Sequence, residues 1–288
     1  MTSIIFGANG QDGYYLSQLL QQEGHIVIGV SRNGGFLKTN IADYAQVSEL
    51  IQQYKPDYIF HLAANSTTRH DALFENHATI STGTINILEA AKAFSPSTKI
   101  FISGSGLQFK NNDRPIKETD EFEARDPYSV SRILSVYAAR YYRKLGLNVY
   151  VGYFFNHDSP RRSERHMAMK IAAFAKRAVE GDKLPIGDIA AIKEWTYAGD
   201  IVKGILTLVQ QEHVFEANIA SGKGYSIENW LTACFSIANK NWKDFVVVNP
   251  DFIPDYKQLV ADATLIHSLG WKPAVSFEEL AKMMMMDV

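Results

Sequence analysis

The sequence predicts an α/β chain whose larger part is a doubly wound parallel sheet, and three observations predict it. Short apolar runs alternate with amphipathic segments of helical length up to about residue 158. That alternation calls for right-handed crossovers and a parallel sheet covered on both faces. The first run, Ser3-Ile4-Ile5-Phe6, ends in Gly7-Ala8-Asn9-Gly10-Gln11-Asp12-Gly13 and passes straight into Tyr15, Leu16, Leu19 and Leu20 at helical spacing. Small residues then recur at the predicted strand ends, at Gly7, Ala63, Ser103 and Asn156. Ligands of doubly wound sheets sit at those carboxyl ends.

The elements follow in order. Glycines three apart permit a tight strand-to-helix turn, let backbone approach a pyrophosphate, and aim the N–H groups of the new helix at an anion. The first unit is therefore a nucleotide-phosphate cradle of Rossmann type. The second strand, His25 to Val30, ends in Ser31-Arg32-Asn33, where binders of the unphosphorylated dinucleotide place an acidic residue for the ribose hydroxyls. No Asp or Glu stands in that stretch, and a guanidinium suits a 2′-phosphate, so NADP(H) is favoured over NAD(H). A helix near Ala42 to Gln53, a strand from Tyr58 to Leu62, a long helix from about Ala72 to Phe94 and a strand from Lys99 to Ile102 come next. A helix from about Pro127 to Leu145 then leads to a strand from Asn148 to Tyr153.

Past residue 158 the alternation gives way to shorter elements, read as a smaller C-terminal substrate lobe over 159–288 behind a dinucleotide-binding domain over 1–158, with some interleaving of the two. Helices are expected near Met167 to Glu180, Gly199 to Gln210, from Ser226, and near Phe277 to Met284. Met283 to Met286 reads as an apolar helix end rather than a metal site. Composition fits an enzyme of moderate size: 288 residues, 46% hydrophobic, 21% charged and a net charge of −2. The charge gives no bulk affinity for nucleic acid. No apolar run approaches membrane-spanning length, and one cysteine, Cys234, excludes an internal disulfide and fits a reducing compartment. A cytoplasmic protein is the expectation.

The chemistry centres on Asp126-Pro127-Tyr128-Ser129-Val130-Ser131-Arg132. Proline suits the first helical turn, and four residues bring the Tyr128 hydroxyl and the Arg132 guanidinium to one face. A phenol with a pKa of about 10 is a poor base at neutral pH, and a fixed cation within ~4–6 Å lowers that value. Tyr128 then passes a proton to or from a sugar oxygen while hydride moves at the same carbon.

The segments Gly7 to Gly13, Leu62-Ala63-Ala64-Asn65-Ser66, Pro127-Tyr128-Ser129-Val130, Phe155-Asn156-His157-Asp158-Ser159-Pro160-Arg161-Arg162, Glu194-Trp195 before Gly199-Asp200, and Leu269-Gly270-Trp271-Lys272-Pro273 resemble the extended short-chain dehydrogenase/reductases that act on nucleotide sugars. Within them the chain is most similar to the GDP-mannose 4,6-dehydratases and their 4-keto reductase relatives, over nearly its whole length. The Asn-His-Asp-Ser-Pro-Arg-Arg segment points to the GDP-mannose branch. The resemblance implies that Gly7, Gly10 and Gly13 hold the cofactor pyrophosphate, with Asn9, Gln11 and Asp12 of the same turn also at the cofactor. It places Arg32 at the adenosine phosphate, Asn40 and Ile41 by the adenine, and Leu62, Ala63 and Ala64 along the cofactor. Tyr128 is then the acid/base, and Asn156, Arg162, Lys170, Lys193 and Asp255 face the sugar nucleotide. Relatives pair through their two long helices, which implies a homodimer here.

Three departures bear on the reaction. The usual lysine four residues after the tyrosine is Arg132, a planar fork in place of a compact ammonium. The segment that resembles Ser-Thr-Ser-Glu-Leu-Tyr-Gly in dehydratases reads Ser103-Gly104-Ser105-Gly106-Leu107-Gln108-Phe109, so the catalytic Thr and Glu fall on Gly104 and Gly106. A further arginine near the substrate phosphates falls on Phe252. A dehydratase oxidises C4, removes the C5 proton, expels the C6 hydroxyl and returns the hydride, and it needs the missing carboxylate. A C4 ketoreductase or dehydrogenase needs only the tyrosine, the hydride and an oxygen-binding partner, for which Ser103 and Ser105 are the candidates. The reading is thus an NAD(P)-dependent oxidoreductase at C4 of a GDP-hexose. The alternatives are a GDP-mannose 4,6-dehydratase and a dinucleotide-binding relative that has lost turnover.

Overall fold

The computed structural model describes residues 1–286. Its centre is a six-stranded sheet. Five strands are β1 (Thr2–Phe6), β2 (Ile26–Val30), β3 (Tyr58–His61), β4 (Lys99–Ser105) and β5 (Asn148–Phe154), and the sixth is Glu216–Ile219. The spatial order is Glu216–Ile219, β5, β4, β3, β1, β2, and every pairing is parallel. The order reverses at β1, which opens a crevice between the ends of β1 and β3.

Alternation along β1 shows the layers. Ile4 and Phe6 join Val47, Ile51, Ile87 and Val136 in one core, beneath the helices Tyr44–Tyr54, Gly83–Phe94 and Pro127–Lys144. Ile5 joins Leu16, Leu20, Ile201 and Ile205 in the other, beneath the helices Gln11–Gln22 and Ala198–Val209. With both faces covered, the strands need no polar alternation. A third core builds the C-terminal lobe around Trp195 stacked on Trp230, ring centres 4.5 Å apart. Met284 and Met285 are buried in it, and Met286 is exposed at the helix end.

The structure differs from the sequence reading in two places that matter. The long helix after β3 is not uniform: Leu73–Asn76 and Gly83–Phe94 are α-helical, and His77–Thr82 between them is widened to a π-helix. The Ile80 carbonyl in that wide stretch accepts from Ser135 Oγ at 3.2 Å and faces His61 Nε2 at 3.4 Å, so side chains of neighbouring elements enter the ladder. After residue 158 the chain also adds a strand that the sequence reading lacked, Glu216–Ile219, which pairs with β5 and, with Ala198–Val209, interleaves the C-terminal part with the larger body.

Candidate active site

The turn after β1 is built to be narrow. Gly7 has φ +93°, and its N–H donates to the Val30 carbonyl at 2.9 Å. A Cβ on Gly7 would lie 2.7 Å from Ala63 N, and one on Gly13 would lie 2.3 Å from the Gly7 carbonyl oxygen. Only glycine fits either place. Gly13 thus lets the helix close onto the strand and does not line the cleft. The helix Gln11–Gln22 opens after Gly10 with no side chain capping it, which leaves its first amides available to an anion. Gly7, Asn9 and Gly10 line a cleft of 410 Å³ with Arg32, Asn40 and Ile41 beyond β2 and Leu62, Ala63 and Ala64 beyond β3.

The surroundings of Arg32 are more acidic than its sequence neighbours imply. No acidic residue follows β2 in sequence, yet Glu75, from the short helix Leu73–Asn76, lines the same cleft. Its Oε1 accepts from Arg32 Nη2 at 2.9 Å, and its Oε2 accepts from Asn65 Nδ2 at 2.8 Å. Arg32 is not a free cation.

A second cleft of 280 Å³ continues from the first, sharing Gly10, Leu62 and Ala64. Tyr128, Arg132, Ser103 and Ser105 meet in it. Asp126 caps the helix by accepting from Ser129 N at 2.8 Å, and Pro127 occupies the first turn, so the position of Tyr128 is set by the helix start itself. The Arg132 guanidinium lies 5.0 Å from the centre of the Tyr128 ring. Its Nη1 donates to the Ser103 carbonyl and, at 2.9 Å, to Ser103 Oγ, and its Nε is buried without a partner. Burial, with Arg132 adding to it, pushes His61 down to about 3, so a neutral imidazole stands near the guanidinium.

The two serines are not equivalent. Ser103 Oγ donates to the His61 carbonyl at 2.9 Å, which commits its proton. Ser105 Oγ accepts from Leu107 N at 3.2 Å and keeps its proton for another acceptor. The glycines beside them are filled positions rather than gaps. A Cβ on Gly104 would come within 2.6 Å of the Tyr153 ring, and one on Gly106 within 2.7 Å of the Phe155 ring.

The segment 156–162 closes the cleft and is tied to the glycine turn. His157 Nε2 meets Asp12 Oδ1 at 2.9 Å, Gln11 Nε2 donates to the His157 carbonyl at 3.2 Å, and Ser159 Oγ donates to Gln11 Oε1 at 2.9 Å. Burial opposes charge on both members of the ion pair. Their attraction wins, with His157 and Arg162 holding the Asp12 carboxyl below its ordinary 3.8 and Asp12 raising His157 above 6.5. The Asp12 contribution is complete above the ordinary Asp value and fades as pH falls through the depressed one. That of His157 is complete below its ordinary value and fades as pH rises through the elevated one. Asp12→Asn is therefore expected to cost about 1.5–3 kcal/mol, with the gap in melting temperature widest near about pH 5 and narrower at about pH 8. A gap independent of pH would show that charge has no part in the contact.

The remaining sequence candidates divide. Asn156 and Arg162 line the second cleft. Asn156 Oδ1 is buried and unpartnered, and Arg162 Nε pairs with Asp158 at 3.2 Å. Lys170, Lys193 and Asp255 line neither cleft. Lys170 donates to the Pro185 carbonyl at 3.4 Å. Lys193 lies 4.8 Å from the Trp195 ring centre, its pKa depressed by burial, with Asp158 opposing and Arg162 adding. Phe252 covers Gly187, where a Cβ would sit 2.5 Å from its ring. Tyr256 and His166 line the reaction cleft without having been singled out in the sequence. Burial, then Asp255, pushes the Tyr256 phenol up to about 12. Its place beside Asp255 was the only signal.

Comparison with known proteins agrees with this geometry. The family profile described as GDP-mannose 4,6 dehydratase matches residues 4–284. GDP-mannose 4,6 dehydratase 2 of Arabidopsis thaliana is 31% identical, over 98% of this chain and 85% of that protein. GDP-mannose 4,6 dehydratase 1 of the same plant is 30% identical, over 98% and 88%. Among solved structures, the UDP-glucose 4-epimerase of Thermotoga maritima with UDP-glucose superposes with a TM-score of 0.88 at 23% identity, over 99% of this chain and 97% of that one. The dTDP-glucose 4,6-dehydratase of Bacillus anthracis in complex with NAD gives 0.85 at 20% identity, over 99% and 95%. These two show the shared fold. With a Rossmann-type sheet, a tyrosine at the strand-end cleft and a family match across nearly every residue, the chain belongs to the GDP-mannose 4,6-dehydratase family of nucleotide-sugar dehydratases and epimerases.

Proposed function

We propose that the chain is a nicotinamide-dinucleotide-dependent oxidoreductase acting at C4 of a GDP-hexose, as a 4-keto reductase or dehydrogenase. One observation carries the choice of reaction. A phenol, a guanidinium and a hydroxyl with a free proton meet in the reaction cleft, while Asp12, the one carboxylate among the described residues lining it, is held by His157. The glycine cradle and the uncapped helix fit a dinucleotide pyrophosphate, and Arg32 favours NADP(H) through the 2′-phosphate. The bound nicotinamide supplies or accepts the hydride at the sugar carbon.

This chain's residues handle the proton and the charge. Tyr128 gives its hydroxyl proton to the C4 oxygen on reduction, or takes one on oxidation. Ser105 donates a hydrogen bond to the same oxygen, while Arg132 fixes Ser103 and lies against the tyrosine ring. The open Asn156 Oδ1 suits a sugar hydroxyl, and Arg162, which lines the same cleft, supplies positive charge for the diphosphate. Exposed Leu134, Tyr137 and Tyr141 follow one another on the outer face of Pro127–Lys144, a stripe that supports a homodimer through the long helices. Sedimentation should then give twice 32.3 kDa. A single Cys234, buried and free, suits a cytoplasmic setting.

Family membership favours dehydration of GDP-mannose as the second reading. Incubation with a GDP-4-keto-6-deoxyhexose and NADPH is expected to oxidise the cofactor with one keto group reduced per hydride. GDP-mannose should yield little 4-keto-6-deoxy sugar. Accumulation of that sugar without net change in the cofactor would overturn the reductase assignment, and stabilisation by UDP- or dTDP-sugars in preference to GDP-sugars would overturn the nucleotide.

A further inference from the structure

The polar contacts at the ribose end of the dinucleotide cleft join three separate elements. Arg32 follows β2 and Asn65 follows β3, the two strands that flank β1 in the sheet. Glu75 bridges them, one carboxylate oxygen to each, at 2.9 Å and 2.8 Å. The bridge therefore spans the crevice whose floor is the Gly7 turn, and Arg32 and Glu75 both line the cleft. The ion pair is open to water, with side-chain exposures of 67% for Arg32 and 42% for Glu75. Exposed pairs of this kind add little to stability, so the contact opens readily and is not a brace for the fold. What it does fix is the charge met by an incoming ribose.

We infer that Glu75 is a cofactor-specificity residue, which competes with the 2′-phosphate of NADP(H) for Arg32 and so holds the chain's preference for the phosphorylated dinucleotide to a small margin. This rests on the reading that the cleft binds a nicotinamide dinucleotide. A 2′-phosphate can pair with Arg32 only when Glu75 releases or shares the guanidinium, and it then lies close to a like charge. A bare 2′-hydroxyl meets no such obstacle, because it is a hydrogen-bond donor and a carboxylate is an acceptor. Arg32 and Glu75 thus pull the selection in opposite directions, and discrimination is the difference between them. Hydrogen bonding from Arg32, outweighing what burial there is, keeps the Glu75 carboxyl below its usual range and so charged at neutral pH. Asn65 restrains the same carboxylate from the other side.

Glu75→Gln removes the charge and keeps the size. Titration of NADPH and NADH into the full-length wild type and variant, followed by nucleotide fluorescence and calorimetry, measures both affinities. NADPH should bind the variant roughly three- to tenfold more tightly at low ionic strength, the gain shrinking in high salt. NADH should bind with unchanged or lower affinity, and the melting temperature should stay the same. In an Arg32→Ala background, the gain for NADPH should shrink to the part that relief of like-charge repulsion alone supplies. Equal changes for the two dinucleotides, or none for NADPH, would overturn the inference. A full gain without Arg32 would overturn the competition for that residue. If neither dinucleotide binds the wild type, the cofactor reading itself fails, and the inference with it.

Discussion

Tyr128→Phe is expected to lower turnover of the keto sugar by roughly 10²–10⁴-fold, the usual span for a lost general acid/base, while leaving NADPH affinity nearly unchanged. The change removes one oxygen from a ring held by the capped start of Pro127–Lys144, and it disturbs no contact of Arg132 with Ser103. Binding and chemistry are therefore separable in this variant. Steady-state rates together with a dinucleotide titration make the measurement. A variant that keeps more than a tenth of wild-type turnover would move the proton transfer to another group in the cleft, and Tyr256 and His166, titratable side chains outside the Asp12–His157 pair, are the first to examine.

Gly106→Glu, which puts a carboxylate where dehydratases carry one, is expected to destabilise the chain by about 1–3 kcal/mol and to create no dehydratase activity. The reason is steric. The new Cβ would sit 2.7 Å from the Phe155 ring, a ring that is itself buried in the main core, so it cannot swing away freely. Thermal melting reads the loss. Adding Phe155→Leu should restore part of it, because the two positions share one space and their effects are not additive. Wild-type stability in the single variant would show that the ring moves aside at no cost. The appearance of a 4-keto-6-deoxy product from GDP-mannose would show that the carboxylate alone had been missing.

How much of this was legible in the sequence depends on the distance between partners. Strands β1, β3 and β4 read clearly because a parallel sheet covered on both faces leaves them as unbroken apolar runs. Tyr128 and Arg132 were legible as a pair because helical geometry fixes residues four apart. The strand Glu216–Ile219 was hidden by its own polarity. Glu216 is met by Arg140, Arg143 and Tyr153, and the Asn218 Nδ2 donates to the Ile116 and Asp262 carbonyls, all far away in sequence. Glu75 was missed for the same reason, since nothing local connects it to Arg32, 43 residues earlier. At Gly104 and Gly106 the sequence shows that side chains are absent. It does not show that Tyr153 and Phe155 fill the space, because that follows from how the end of β4 lies beside β5.

The strand Glu216–Ile219 also governs how the molecule is made. Until it emerges from the ribosome, β5 has one free edge, with the backbone donors and acceptors of an apolar strand open to any chain that adds to them. The face that Ala198–Val209 covers stays bare over the same interval. Synthesis at about 5–20 residues per second thus leaves a window of several seconds between completion of β5 and arrival of its cover. Growing chains close to one another are therefore expected to be at greatest risk of joining edge to edge during that interval.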